Sequence, residues 1–183
     1  MNFKLPVTLL PVKDVLIFFL LLFSFHFVYL GWSVGLNFFP VEAFIDRMFQ
    51  AVAKALLAQS LWVLGLLGVE TTLQGATLFA NYGQSFVTVA PECTTLKQWM
   101  HWIVIMAFFP GPVKHKLWYI PAGILVIHLT NLLRINGLLL LQVPFPGSFH
   151  FFHDYVFKPL FYAVIFGMWL FWNEKIRKTQ PPI

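Results

Sequence analysis

This chain predicts an all-α polytopic membrane protein, with about five apolar helices and one small extramembrane β segment. Three observations predict it. Hydrophobic residues make up 59% of the 183 positions and charged residues only 10%, against about 25% charged in a soluble domain. The apolar residues gather in runs that approach the roughly 20 positions a helix needs to cross a bilayer. The positive charges, which leave a net +5, sit in short clusters beside those runs, as orientation signals do. Charge placed in that way serves topology, so membrane lipids are the expected surroundings and no nucleic-acid partner is expected. The single cysteine excludes an internal disulfide.

The elements follow in order. Residues 15–36 predict a first span. No small-residue cleavage site follows it, so it reads as a retained helix and not as a signal peptide. Residues 40–69 predict one long helix, with Pro40 suited to its first turn. Its first half is amphipathic, carrying Glu42, Asp46, Arg47 and Lys54. Its second half is apolar but short, so it crosses at a tilt or enters only partly. Residues 70–90 alternate apolar and polar side chains and predict a β-hairpin turning near Asn81–Gly83. A hairpin with open edges cannot sit in lipid, so it belongs outside the bilayer, over whatever lies at that surface. A helix over 94–109 ends at Pro110-Gly111-Pro112. Residues 118–141 are the clearest span, 142–149 a short rigid loop, and 154–172 the last span. The polar stretch 173–183 reads as a disordered cytoplasmic tail. The whole, 1–183, is one integral membrane domain.

Lys114 and Lys116 in one loop, and Lys175, Arg177 and Lys178 in the tail, mark one face as cytoplasmic. The opposite face then looks outward, toward the periplasm if the membrane is an inner membrane. Lys4 and Lys13 also ask for the cytoplasm, whereas five crossings would put them outside. Either the helix over 40–69 does not cross fully or the N-terminal charges are overruled.

Three polar residues share the outward level. Cys93 opens one apolar stretch, Arg134 lies near the far end of the next, and His153 opens the third. Consecutive crossings alternate in direction, so these positions meet at one membrane face. A thiol, a guanidinium and an imidazole are the parts of a cysteine acyl-transfer site. Cys93 at a helix start would have its thiolate favoured by free backbone N–H groups. Lys97 on the same helix face would help, and Glu92 would oppose. A small, inert interfacial cysteine is the alternative. Arg134 inside an apolar run costs about 2.5–3.5 kcal/mol on insertion scales, and Asn131 three residues earlier can orient it. Its alternative is snorkelling to the interface. His153 suits a base near neutral pH, and His150 could serve instead. Asp154 is adjacent, about 100° away on an α-helix, and so a doubtful orienter.

Other classes leave thinner traces. His101 and His128 lie at similar depth on successive spans and could hold a haem. Arg134 could line the ion path of a non-enzymatic assembly factor or transporter subunit. No zinc spacing, phosphate loop or serine nucleophile motif occurs, and no cofactor or metal is expected.

The order and surroundings of these residues resemble the exosortase/archaeosortase family over roughly residues 50–172. An apolar helix ends in Leu67-Gly68-Val69, and a hairpin-like segment leads into Ala90-Pro91-Glu92-Cys93. Asn131-Leu132-Leu133-Arg134 follows within a span, and His153-Asp154-Tyr155-Val156-Phe157 opens the final helix. The resemblance implies a multi-pass membrane cysteine transpeptidase with Cys93 as nucleophile and Arg134 and His153 completing the site. It implies exported substrates bearing a C-terminal motif, a transmembrane helix and a basic tail, and an acceptor such as a lipid or glycan. Members commonly carry a glycine close after the cysteine, where this chain has Thr94-Thr95.

Overall fold

The computed structural model describes residues 10–35, 42–80 and 83–177. Lys4, Pro40, Asn81 and the segment 178–183 lie outside them, as does the side chain of Glu92. Five long helical elements and one small sheet follow in order. They are α1 (Leu10–Gly35), α2 (Glu42–Leu66), β1 (Thr71–Gln74), β2 (Thr77–Ala80), β3 (Ser85–Thr88), α3 (Leu96–Phe108), α4 (Val113–Leu141) and α5 (Phe149–Arg177). α5 contains wide π-type turns at Phe152–Phe157 and Trp172–Arg177.

Four of these helices are long and apolar enough to cross a membrane: α1, α2, α4 and α5. α3 is not. Its 13 residues rise only about 20 Å, short of a core of about 30 Å. The expected helix over 94–109 is trimmed at its start because Thr95 takes a left-handed backbone, φ 64°, and breaks the helical run.

Packing forms two clusters stacked along α4. One joins Trp102, Ile105, Met106 and Phe109 of α3 to Tyr119 and Ile127 of α4, Phe161, Ile165, Trp169 and Trp172 of α5, and Phe18 of α1. The other joins Leu56, Leu57 and Leu64 of α2 to Leu78, Ala80, Val87 and Val89, and to Ile135, Leu138 and Leu139 of α4. Close approach depends on glycine at two points of α4. A Cβ on Gly123 would collide with the Trp102 indole, and one on Gly137 would press on Phe157. Trp102 also donates its Nε1–H to the Ile120 carbonyl at 3.2 Å, beside Pro121, which cannot donate to the helix ladder.

The β segment has three strands, in the order β1-β2-β3, all antiparallel. The expected hairpin is β2 with β3, paired Thr77↔Thr88 to Ala80↔Ser85. The strand before it, β1, pairs Thr71↔Ala80 through Gln74↔Thr77. Gly75, at φ 61°, makes the tight turn possible. Alternation sends Leu78, Ala80, Ser85 and Val87 inward, while Phe79 and Phe86 pair across the strands, 6.1 Å apart. Gln142 at the end of α4 donates to the Phe86 carbonyl at 3.0 Å, so the sheet sits over that end of α4.

The direction of α1 follows from two contacts. Arg177 Nη1 donates to Asp14 Oδ2 at 2.7 Å, and also to Asn173 Oδ1 at 3.0 Å. The ammonium of Lys97 lies over the Tyr29 ring, 4.6 Å from its centre. α1 therefore starts at the end that holds Lys114, Lys116 and Arg177 and finishes near the start of α3. The stretch 173–177, read as tail, instead continues α5, because Asn173 and Arg177 find partners there. α2 leads within a few residues to the sheet, and its length and composition suit a span. Lys13 sits at the start of α1, at the end that holds Arg177.

Overpacking at Gly123 should be costly. Gly123→Val should lower the thermal midpoint of the detergent-purified protein, as a loss of about 1–3 kcal/mol does. Gly167→Ala, where an added Cβ meets nothing within 4 Å, should leave the midpoint in place. Equal midpoints for Gly123→Val and wild type would refute this packing role.

Candidate active site

Cys93 lies in a 3-10 turn, Pro91–Thr94, separate from α3. Its N–H donates to the Ala90 carbonyl at 2.9 Å. The thiol is half-buried and packs beside the cluster of α2, the sheet and α4. A thiol three residues upstream of a helix gains little from that helix's dipole, which falls off within a turn. The expected helix-start activation of Cys93 therefore gives way to a different source of positive charge.

That source is α4. Asn131 Nδ2 donates to the Cys93 carbonyl at 2.8 Å, and Arg134 Nη2 approaches the same oxygen at 3.4 Å. The guanidinium also lies near the Cys93 side chain. Asn131 and Arg134 are three residues apart, so both reach from one helix face. Asn131 is fully buried. Its Oδ1 and the Arg134 Nε are buried without partners. The Arg134 guanidinium is directed at the Cys93 turn.

Lys97 projects elsewhere, over the Tyr29 ring, because the break at Thr95 separates the face of α3 from the Cys93 turn. His153 sits in the first π-type turn of α5. Phe157 of that turn packs on Gly137, which puts it on the Arg134 half of α4. His153 Nδ1 bonds Asp154 Oδ1 at 2.9 Å, and its ring stacks on Phe149 with centres 5.6 Å apart. Asp154 is thus the orienter that an ideal α-helix would not allow. The wider i→i+5 turn reduces the rotation between neighbours. With Nδ1 held, Nε2 is the nitrogen left for chemistry. Among the described residues no hydrogen bond joins His153 to Cys93 or Arg134. His150 is exposed, with its ring against Phe149.

The other intramembrane histidines have local partners. His128 Nε2 bonds Gln59 Oε1 at 2.7 Å, and His101 Nδ1 bonds the Lys97 carbonyl at 2.8 Å. They turn to different neighbours, Gln59 of α2 and the Lys97 carbonyl of α3. No group of three or more metal-binding side chains occurs among the described residues.

Fold and site together define a polytopic membrane protein that joins its one cysteine to a buried arginine under a small sheet. The family model described as transmembrane exosortase matches residues 17–172, and the chain belongs to that family. No curated protein and no solved structure matches it.

Arg134 is the cation directed at the Cys93 turn, and a cation beside an attacking sulfur speeds its reaction. Arg134→Gln should therefore slow alkylation of Cys93 by iodoacetamide at pH 7, by on the order of tenfold. Lys97→Gln should change the rate little, since that ammonium is placed on Tyr29. A slower rate in Lys97→Gln than in Arg134→Gln would reverse the assignment.

Proposed function

We propose that this chain is a cysteine transpeptidase of the inner membrane. It cleaves the C-terminal sorting signal of exported proteins on the periplasmic or outer face. Membership of the transmembrane exosortase family supports this reading, and one observation carries it to the residues. The only cysteine of the chain has its carbonyl held by a buried guanidinium that also lies near its side chain.

His153 takes the Cys93 thiol proton on Nε2, and the thiolate so formed attacks the substrate's peptide carbonyl and forms a C–S bond. The developing oxyanion is stabilised by Arg134, whose unpartnered Nε–H and planar fork suit it. The C–N bond then breaks, and His153 gives a proton from Nε2 to the leaving amine. An acceptor amine or hydroxyl, on a lipid or glycan, attacks the thioester while His153 takes its proton. The C–S bond breaks and the Cys93 thiolate returns. Contact between His153 and the reacting atoms belongs to the substrate-bound state, since catalytic hydrogen bonds often tighten only there. Asp154 holds the ring in the needed tautomer.

The substrate signal consists of a short motif, a transmembrane helix and a basic tail. Its helix needs a lateral place beside the bundle. A half-open cleft of about 320 Å³, lined by Leu22, Phe23, His26, His101 and Tyr162, opens between α1, α3 and α5. A second of about 300 Å³ continues it along Phe18, Phe19 and Phe166. Together they offer an apolar flank on which such a helix can lie.

Cys93→Ala should abolish processing of a co-expressed substrate while leaving enzyme abundance in the membrane unchanged, read as substrate size by immunoblot. Full processing by that variant would remove Cys93 from the mechanism. Arg134→Lys should fail nearly as badly as Arg134→Ala, with a loss on the order of 10²–10³, because one ammonium cannot reproduce two parallel donors. Near wild-type turnover by Arg134→Lys would reduce Arg134 to an anchoring charge.

A further inference from the structure

Among the described residues, Thr95 is the one non-glycine residue with a left-handed backbone, φ 64° and ψ 4°. A β-branched side chain is among the worst suited to that region. Such strain persists only where surrounding structure holds it. Here the hold is visible. Thr95 is 2% exposed and Thr94 is fully buried. Thr95 Oγ1 donates to the Thr94 carbonyl at 2.5 Å, and the Thr95 carbonyl accepts the first bond of α3, from Trp99 N–H at 2.9 Å.

The consequence lies two residues upstream. In a helix continuous through Cys93, the Cys93 carbonyl would accept the Lys97 N–H, four residues on. It would then point along α3 and be spent within it. The left-handed residue ends that run. The Cys93 carbonyl is released from the helix ladder and turned to α4, where Asn131 and Arg134 take it at 2.8 and 3.4 Å.

We propose that Thr95 is a positioning residue whose left-handed backbone, and not its side chain, docks the Cys93 turn onto Asn131 and Arg134. This rests on the reading of Cys93 as nucleophile, and it adds the residue that places it. The strained conformation is the working part. A residue that adopts it freely should serve, and a residue that cannot adopt it should uncouple Cys93 from Arg134.

The test uses the full-length protein in detergent and reads the rate of Cys93 alkylation by iodoacetamide at pH 7. Glycine adopts φ 64° without strain, so Thr95→Gly should keep the alkylation rate within about twofold of wild type. Proline is locked near −65°, so Thr95→Pro should fall to the slow rate of Arg134→Gln. The double variant Thr95→Pro/Arg134→Gln should be no slower than either single one, because both break the same contact. A wild-type rate in Thr95→Pro overturns the proposal. So does a tenfold loss in Thr95→Gly, which would assign the role to the side chain. Should Thr95→Pro not accumulate in the membrane, Thr95→Gly decides by the same two outcomes. Alkylation needs no substrate. If Cys93→Ala still processes substrate while these rates behave as stated, the transpeptidase reading fails and the positioning role stands.

Discussion

A guanidinium within an apolar helix is the constraint around which this molecule is arranged. Arg134 cannot be left bare in hydrocarbon, where a charge is tolerated only against a partner or a wet cavity. Its partner is the carbonyl of Cys93, which belongs to a turn and not to a neighbouring span. For that turn to reach α4, its backbone must be free of helical bonding, and the polar groups it exposes must be covered. The left-handed Thr95 does the first. The sheet, α2 and the end of α4 pack around Cys93 and do the second. The sheet lies over the end of α4, the place where open edges can avoid lipid.

The other half of the bundle serves to hold α4 in place. Indoles dominate it: Trp102, Trp169 and Trp172 are all essentially fully buried. Their size is accommodated by glycine on the facing helix, as at Gly123. Large rings against bare backbone leave little freedom to slide, since a small shift in register produces a collision. The ion pair of Asp14 with Arg177 ties the first helix to the last across almost the whole sequence. It also offsets two charges that would otherwise face an apolar bundle unpaired. The depth of Arg134 relative to the Cys93 turn thus depends on packing at Gly123, about three turns away along α4, roughly 16 Å.

Asp154 and His153 illustrate how local geometry can alter a chemical reading. On an α-helix adjacent residues diverge by about 100°, and a carboxylate next to a histidine is a poor orienter. In the π-type turn the two meet at 2.9 Å. Turns of that kind are often found at functional sites, and this one sits on the α5 segment that packs against the Arg134 half of α4.

The membrane class, the two longest spans and the polar residues of interest were legible in the sequence, because hydropathy over 20 positions depends on composition alone. Cys93 and Arg134 do meet, although α3, counted as a crossing among the alternating spans, is too short to span. What composition could not convey was backbone conformation at single residues. Nothing in Thr94-Thr95 announces a left-handed threonine, because its strain is imposed by burial on all sides. The third strand, the continuation of α5 through Asn173 and Arg177, and the placing of Lys97 on Tyr29 each depend on a partner distant in sequence. Periodicity and hydropathy report what a segment can do by itself. The tertiary structure decided which residues meet, because a buried charge, a bare carbonyl or a large ring is satisfied only by what the rest of the chain brings to it.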